Sequence, residues 1–338
     1  MVAWAVMPPE HATNPVATPA APAIWWAAIP ARSALLVEGG DAVRFLDNFT
    51  TASLAPLAVG GGTEGFFADG RGQVLAVATL LRTPAGIWID AAPGLAGRLH
   101  EHLEHYHIRE AVSFHDASAE RAAFLLHGRD AMAWLGGEAD VALASDAITH
   151  RAVSLGGIPA TLVTTDWYGA GGCLVITAAA DADRISAWLA ETGLPRCSPA
   201  AVDAARIDAG SPEPHDIPPK TLPQELGRDG RAICFTKGCY LGQETVARLD
   251  ALGHVNRRLV GITTDGAAPP AVHAQVMLDD MEVGMITSAC LSPTLNAGLG
   301  LALVHVRALA AGAAPTVAGA AVRLVPLPAS RATMEPRA

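Results

Sequence analysis

The sequence predicts an α+β fold in which two related α/β lobes precede a C-terminal β-barrel or sandwich. Three observations carry this expectation. A strand, Gly turn and helix pattern at residues 34–46 recurs at residues 123–135. Strands and helices mix without the strict βαβα order of a doubly wound sheet, and from Arg257 onward only short strands between turn residues remain.

The first unit runs from the apolar Ala34-Leu35-Leu36-Val37 through Gly39-Gly40 to Asp41, a candidate N-cap, and the apolar face Ala42, Phe45 and Leu46. The second repeats it with Ala123-Phe124-Leu125-Leu126, Gly128, Asp130-Ala131 and Leu135, which reads as a divergent duplication, with a chance match as the alternative. Between them, Val74 to Leu81 and Gly86 to Asp90 form strands joined at Thr83-Pro84-Ala85, and a helix spans about Leu95 to Tyr106. The second unit continues with strands at Pro159 to Thr164 and Gly172 to Thr177 and a helix at about Ala182 to Glu191. In the last third, strands at Arg258 to Thr263, Gln275 to Leu278, Glu282 to Thr287, Gly300 to Val304 and Ala321 to Val325 are separated by turns, with Asp279-Asp280 as a hairpin tip.

With 338 residues, 51% of them hydrophobic, the chain can bury several cores, yet no apolar run is long enough to span a bilayer. No Lys or Arg precedes Arg32, so the start lacks the basic region of a secretory signal or a transit peptide. Five dispersed cysteines do not form a disulfide framework and fit a reducing cytoplasm. The net charge of −10 argues against coating nucleic acid. Locally, residues 220–258 carry seven cations against four carboxylates, which suits either an anionic ligand or a solvated charged face.

The informative chemistry lies between Arg206 and Leu249. Ala232 to Phe235 reads as a short strand and Tyr240 to Leu249 as a helix, which puts Cys239 at a strand-to-helix turn opened by Gly238. A helix N-terminus with Lys237 nearby stabilises a thiolate, whereas a small buried hydrophobe is the ordinary fate of a free cysteine; residue chemistry leaves both open. Cys173, Cys197 and Cys290 read as structural. Cys234, Cys239 and His254 fall short of the four ligands of a structural zinc, so no metal is expected, and the histidines of His100 to His107 read as a solvated helix face. No nucleophile elbow, phosphate loop or HExxH helix is present.

Lys237-Gly238-Cys239-Tyr240-Leu241-Gly242-Gln243-Glu244 resembles the K-G-C-[YF]-x-G-Q-E signature of YgfZ-type proteins, a folate-binding branch of the glycine-cleavage T-protein superfamily. Val246-Ala247-Arg248, Gly253 to Leu259, Gly70-Arg71-Gly72, Arg206 to Pro212 and Leu222 to Glu225 extend the likeness in order, from about Ser33 to Val325. It implies a three-lobed arrangement around a central channel. The parts are a disordered leader at 1–24, a first lobe at 25–118, a second ferredoxin-like lobe at 119–200, a signature segment at 201–255, a barrel at 256–327 and a tail at 328–338.

The resemblance further implies tetrahydrofolate or a one-carbon-substituted folate as cofactor, Cys239 as key thiol with Lys237 beside it, and Glu225, Arg206, Arg248 and Tyr240 as cofactor contacts. Its members support iron–sulfur cluster assembly or repair and, indirectly, tRNA modification; iron–sulfur proteins or assembly factors are the implied partners of a cytoplasmic monomer, without direct nucleic-acid or membrane contact. The T-protein Asp pair is missing from Val74-Leu75-Ala76-Val77-Ala78, which argues against glycine-cleavage aminomethyl transfer. Ser33 and Val202 stand where related proteins carry tryptophan. A folate-dependent one-carbon transferase or demethylase of aminomethyltransferase type is the alternative.

Overall fold

The recurrence in the sequence is the organising feature of the computed structural model, which describes residues 23–143, 147–264, 268–310 and 312–331. The leader expected at 1–24, apart from Ala23 and Ile24, lies outside these residues, as does the tail from 332. The chain runs β1 (Trp25–Ile29), β2 (Ser33–Glu38), α1 (Ala42–Asp47), β3 (Gly62–Ala68), β4 (Val74–Arg82), β5 (Gly86–Ala91), α2 (Ala96–Glu104) and β6 (Ser113–Asp116). It continues β7 (Arg121–His127), α3 (Ala131–Ala139), β8 (His150–Leu155), β9 (Ile158–Thr164), β10 (Cys173–Ala178) and α4 (Ala182–Glu191).

The two sheets have the same topology. The first is ordered β3-β4-β5-β2-β6 and the second β8-β9-β10-β7-β1, so each strand has a counterpart and the opening strand β1 takes the edge place that β6 holds in the first. This corrects the expected boundary at residue 25: β1 belongs to the second lobe, where Trp25 faces His127 and Ile29 faces Ala123 in antiparallel register. The physical reason is that Trp25, Trp26, Ala27 and Ile29 are all buried, which requires cover on both faces, and Trp26 is fixed there by its indole bond to the Leu194 carbonyl at 3.2 Å.

The duplication extends to single glycines. Gly39 (φ +117°) and Gly128 (φ +133°) follow the equivalent strands β2 and β7, and a Cβ on either would lie 2.0 Å from a carbonyl oxygen, of Ala111 and Ala23 respectively. Only glycine permits both the conformation and the approach.

Helices α1 and α2 cover one face of the first sheet around Leu35, Phe45, Leu46, Leu80 and Leu99; α3 and α4 cover the second around Trp26, Leu126, Leu135, Val175 and Leu189. The opposite faces meet in a shared core in which Phe66, Val77 and Leu81 pack with Leu125, Val163, Leu174 and Ile176. Fully burying such a side chain contributes about 1.5–3 kcal/mol, so the lobes are joined by hydrophobic burial.

The chain then crosses the seam with α5 (Pro199–Ala209), α6 (Asp229–Ala232) and α7 (Gln243–Leu252). It ends in β11 (Arg257–Thr264), β12 (Gln275–Leu278), β13 (Met281–Ser292), β14 (Ala297–His305), β15 (Thr316–Val317) and β16 (Ala320–Val325), which close as a six-strand barrel in the order β11-β14-β13-β12-β15-β16. That settles barrel against sandwich. The hairpin tip is Asp279-Asp280, both at positive φ as a two-residue type I′ connection requires. Among the described residues no helix is long and apolar enough to cross a membrane, and no group of His, Cys, Asp and Glu is placed to hold a metal ion.

Candidate functional site

The signature segment is neither strand nor helix up to Gly242. Helix α6 ends at Ala232, a turn follows at Phe235-Thr236, and α7 starts only at Gln243. The expected strand at Ala232 to Phe235 and the helix start at Tyr240 are displaced because the segment's backbone groups are spent elsewhere, on the turn that follows α1. Cys234 N–H donates to the Thr51 carbonyl at 2.9 Å and Leu241 N–H to the Asn48 carbonyl at 2.8 Å. The Thr51 hydroxyl donates to the Ala232 carbonyl at 2.5 Å. Gly242 (φ +80°) closes the arrangement: a Cβ there would stand 2.6 Å from the Asp69 carbonyl oxygen and 2.8 Å from Gly72 Cα, so the Gly70-Arg71-Gly72 turn packs directly on the signature.

Lys237 is the centre of this clamp. Its ammonium donates to the carbonyls of Asp47 (2.6 Å), Thr50 (2.9 Å) and Ala52 (2.5 Å), lies 3.3 Å from the Asp47 carboxylate, and is 1% exposed. Burial pulls its pKa below the ordinary lysine value despite Asp47. All three protons are committed, so the geometry makes Lys237 a positioning residue. Cys239 is exposed and precedes the α7 N-cap by three residues, so the helix start does not hold it. The thiol that receives help is Cys234. The Thr236 hydroxyl, 3.6 Å from its sulfur, acts first, followed by backbone N–H groups and the Lys237 charge, and together they hold its pKa below the usual thiol value. Burial instead pushes Cys173 and Cys290 up to about 12, consistent with their structural reading.

The other sequence candidates are distributed rather than gathered. The Glu225 carboxylate is already engaged: it takes a two-point contact from Arg257 at 3.0 and 2.8 Å and the Leu222 N–H at 2.9 Å, so the oxygens assigned to a pterin edge tie the connection to the barrel. Arg206, 3% exposed, pairs with fully buried Asp216 at 2.8 Å and bonds Ser288 at 3.0 Å, joining α5 to barrel strand β13. Removing one partner of such a pair costs about 3–5 kcal/mol, which marks it as structural. Tyr240 is buried with Lys237 5.3 Å above its ring, and burial pushes its phenol up to about 12. Arg248 is exposed on α7.

What converges instead is a polar group at the lobe seam that sequence reasoning missed. Arg32 donates through Nε to Asp90 at 2.5 Å and through Nη1 to the Tyr168 hydroxyl at 3.3 Å. Thr79, Thr165 and Trp167 complete the polar lining among Leu81, Val163, Leu174 and Ile176. The Trp167 indole N–H is buried without a hydrogen-bond partner among the described residues, and the Arg228 guanidinium, paired with Glu64, lies 4.8 Å over its ring. Burial raises the Tyr168 phenol, and it also raises Glu213 against the opposing pull of Arg32 and Arg206. The seam between the lobes holds about 10 Å³ of free space here, and an open cleft of about 530 Å³, lined by Glu64, Thr164, Asp166 and Arg231, shares Thr165 with it. One signal was available: Asp90 is the sole charge in the otherwise apolar strand Gly86-Ile87-Trp88-Ile89-Asp90-Ala91.

Comparison with known proteins agrees with this architecture. Residues 31–236 match the GCVT N-terminal domain and residues 257–330 the glycine cleavage T-protein C-terminal barrel domain. An aminomethyltransferase of Thermus thermophilus is 30% identical over 277 residues, 80% of this chain and 76% of that protein. Aminomethyltransferases of Streptomyces avermitilis and Synechococcus elongatus are 32% and 29% identical over 177 and 200 residues. Those matches cover 50% and 59% of this chain and 46% and 54% of the relatives, so the chain spans about half the length of these two. The crystal structure of the glycine cleavage system aminomethyltransferase T from Bartonella henselae superposes with a TM-score of 0.77 at 19% identity, covering 90% of this chain and 86% of that one, which shows the shared fold. The chain belongs to the glycine cleavage T-protein family.

Proposed function

We propose that the chain binds a reduced folate at the lobe seam and acts in folate-dependent one-carbon transfer of the aminomethyltransferase type. The observation that carries this reading is that Trp167, whose buried N–H has no partner among the described residues, lines one small cavity with Asp90, Tyr168 and the apolar Leu81, Val163, Leu174 and Ile176. Such a set suits the amino-pterin edge, where a carboxylate accepts paired N–H donors and the ring system buries against Leu and Ile. The seam itself holds space for about one water. In this reading ring entry requires Arg32 to leave Asp90, with the approach from the side of the 530 Å³ cleft that shares Thr165 with the seam.

In this reading Asp90 on β5 provides the carboxylate that the apolar stretch Val74 to Ala78 of β4 lacks. Burial raises the Glu213 carboxyl beside Arg32, which makes it the candidate proton carrier of this reading. The folate, when bound, supplies the nitrogen pair that accepts a one-carbon unit. Titration calorimetry with tetrahydrofolate tests the site. Wild type and Glu225→Ala bind, whereas Asp90→Asn and Trp167→Phe weaken binding about tenfold or more, the loss expected for a hydrogen bond to a charged or buried group. Absence of heat with wild type, or wild-type affinity in Asp90→Asn, refutes it.

One observation favours a second reading, a YgfZ-type role in iron–sulfur cluster assembly or repair: Cys239 is exposed on a loop that Lys237 clamps from within. If Cys239→Ala fully restores cluster-enzyme activity in a strain lacking the protein, that role for the thiol is wrong.

A further inference from the structure

Where the barrel closes, part of one strand edge is left open. Strands β11 and β16 pair only from Gly261, opposite Val325, to Thr264, opposite Val322. Pro326 follows, and without an N–H it cannot extend the ladder, so Arg258, Leu259 and Val260 have no β16 partner on that side. The chain after β16 packs instead on the end of α5: a Cβ on Gly210 (φ +70°) would stand 2.6 Å from Leu327 Cβ. Between this departing chain and the open edge lies a cavity of about 370 Å³. Its apolar wall is made by Leu226, Leu259, Val260, Leu324 and Leu327. Among the described residues the same wall holds three arginines, Arg228, Arg231 and Arg258, and no Asp or Glu. Two of these cations are committed, Arg228 to Glu64 and Arg231 to Asp166. Arg258 is exposed, and among the described residues its guanidinium makes no hydrogen bond and no ion pair; Asp229 senses its charge without pairing with it.

We propose that this cavity binds an apolar monocarboxylate of the medium-chain fatty acid class, with the carboxylate on Arg258 and the hydrocarbon body between Leu226, Leu259 and Leu327. The volume lies in the range of about 300–1,000 Å³ that small-molecule sites occupy, and an apolar body covers leucine surface that otherwise faces water. The head group follows from the charge. One free guanidinium balances one negative charge, and its planar fork matches the two oxygens of a carboxylate. A phosphate dianion leaves a charge unbalanced unless Arg228 or Arg231 abandons its own carboxylate, which is costly. A neutral ligand leaves Arg258 unused. None of the residues lining the seam cavity lines this one, so the proposal is independent of folate binding.

The test is titration calorimetry of the full chain with octanoate, octan-1-ol and inorganic phosphate. Octanoate should bind at a single site, octan-1-ol about tenfold more weakly or less, and phosphate without measurable heat. Arg258→Gln should weaken octanoate about tenfold or more, the loss expected for a hydrogen-bonded charge pair. Leu309→Asp, which sets a carboxylate at a 40% exposed position of the cavity wall, should abolish binding. Arg323→Gln, at an exposed arginine of β16 outside the cavity, should keep wild-type affinity. The proposal is overturned by any of four results: no octanoate heat with wild type, wild-type affinity in Arg258→Gln, octan-1-ol or phosphate binding as tightly as octanoate, or several octanoates per chain. All three substitutions are at exposed positions, and thermal unfolding of each variant separates loss of the site from loss of the fold.

Discussion

Replacing Lys237 by methionine distinguishes a catalytic lysine from a clamp. The side chain is 1% exposed, and its ammonium makes three short bonds to carbonyls of the Asp47 to Ala52 turn. Bonds from a charged donor are worth about 1.5–3 kcal/mol each, roughly 4.5–9 kcal/mol in total. Against this stands the cost of burying an ammonium, several kcal/mol, which is also what lowers its pKa. The net is about 2–4 kcal/mol, and methionine, similar in length but without donors, forfeits it while leaving three carbonyls to find water. Urea denaturation should show this loss with an unchanged dependence on denaturant, and Cys234, deprived of a nearby cation, should alkylate more slowly at neutral pH. Arginine should not rescue, because its planar fork does not match three carbonyls converging on one nitrogen. A loss below about 1 kcal/mol with Cys234 reactivity unchanged would refute the clamp and return Lys237 to the catalytic candidates.

Gly242→Ala should cost about 2–4 kcal/mol, from a left-handed conformation and a Cβ forced against Asp69 and Gly72, whereas Gly253→Ala, with φ +68° and no atom within 4 Å, should cost only about 1 kcal/mol; equal losses in thermal unfolding would show that the packing contact contributes nothing. Asp229, pushed by burial from 3.8 to about 6 and bearing a buried oxygen without a partner among the described residues, binds its proton more tightly folded than unfolded. Stability is therefore lost as pH rises from about 4 to about 6, and Asp229→Asn should gain about 1 kcal/mol near pH 7.5, after allowance for its solvent exposure, and nothing below pH 4. A gain independent of pH would sink that assignment.

How much of this was legible depends on whether the determinant is local. The strand–turn–helix repeat could be read because Gly39 and Gly128 must be glycine wherever the chain turns back against a carbonyl, and the barrel hairpin because Asp279-Asp280 is a two-residue turn between apolar strands. The membership of β1 could not: four buried residues out of five announce a covered strand, but which sheet covers it is decided by β7, about a hundred residues later. The seam was hidden for the same reason, since Arg32, Asp90 and Tyr168 meet across separations of 58 and 136 residues.

The basic run at 220–258 shows the difference in its sharpest form. Read along the chain it is an excess of cations awaiting an anion. In the fold, Arg228 is bound to Glu64, Arg231 to Asp166, Arg257 to Glu225 and Lys237 to three carbonyls, so most of that charge fastens the segment to elements far away in sequence. A cation already paired attracts an anion weakly, because a ligand must first displace the partner and leave a carboxylate unpaired. The same cost applies at the seam, where a ligand has to separate Arg32 from Asp90. There, however, Arg32 keeps its bond to the Tyr168 hydroxyl and the groups it leaves have something to gain. Asp90 acquires the N–H donors of an amino-pterin edge and Trp167 the acceptor it lacks, so opening replaces one satisfied contact with several and fills apolar space. That balance favours the seam, not the basic segment, as the site of the proposed folate binding.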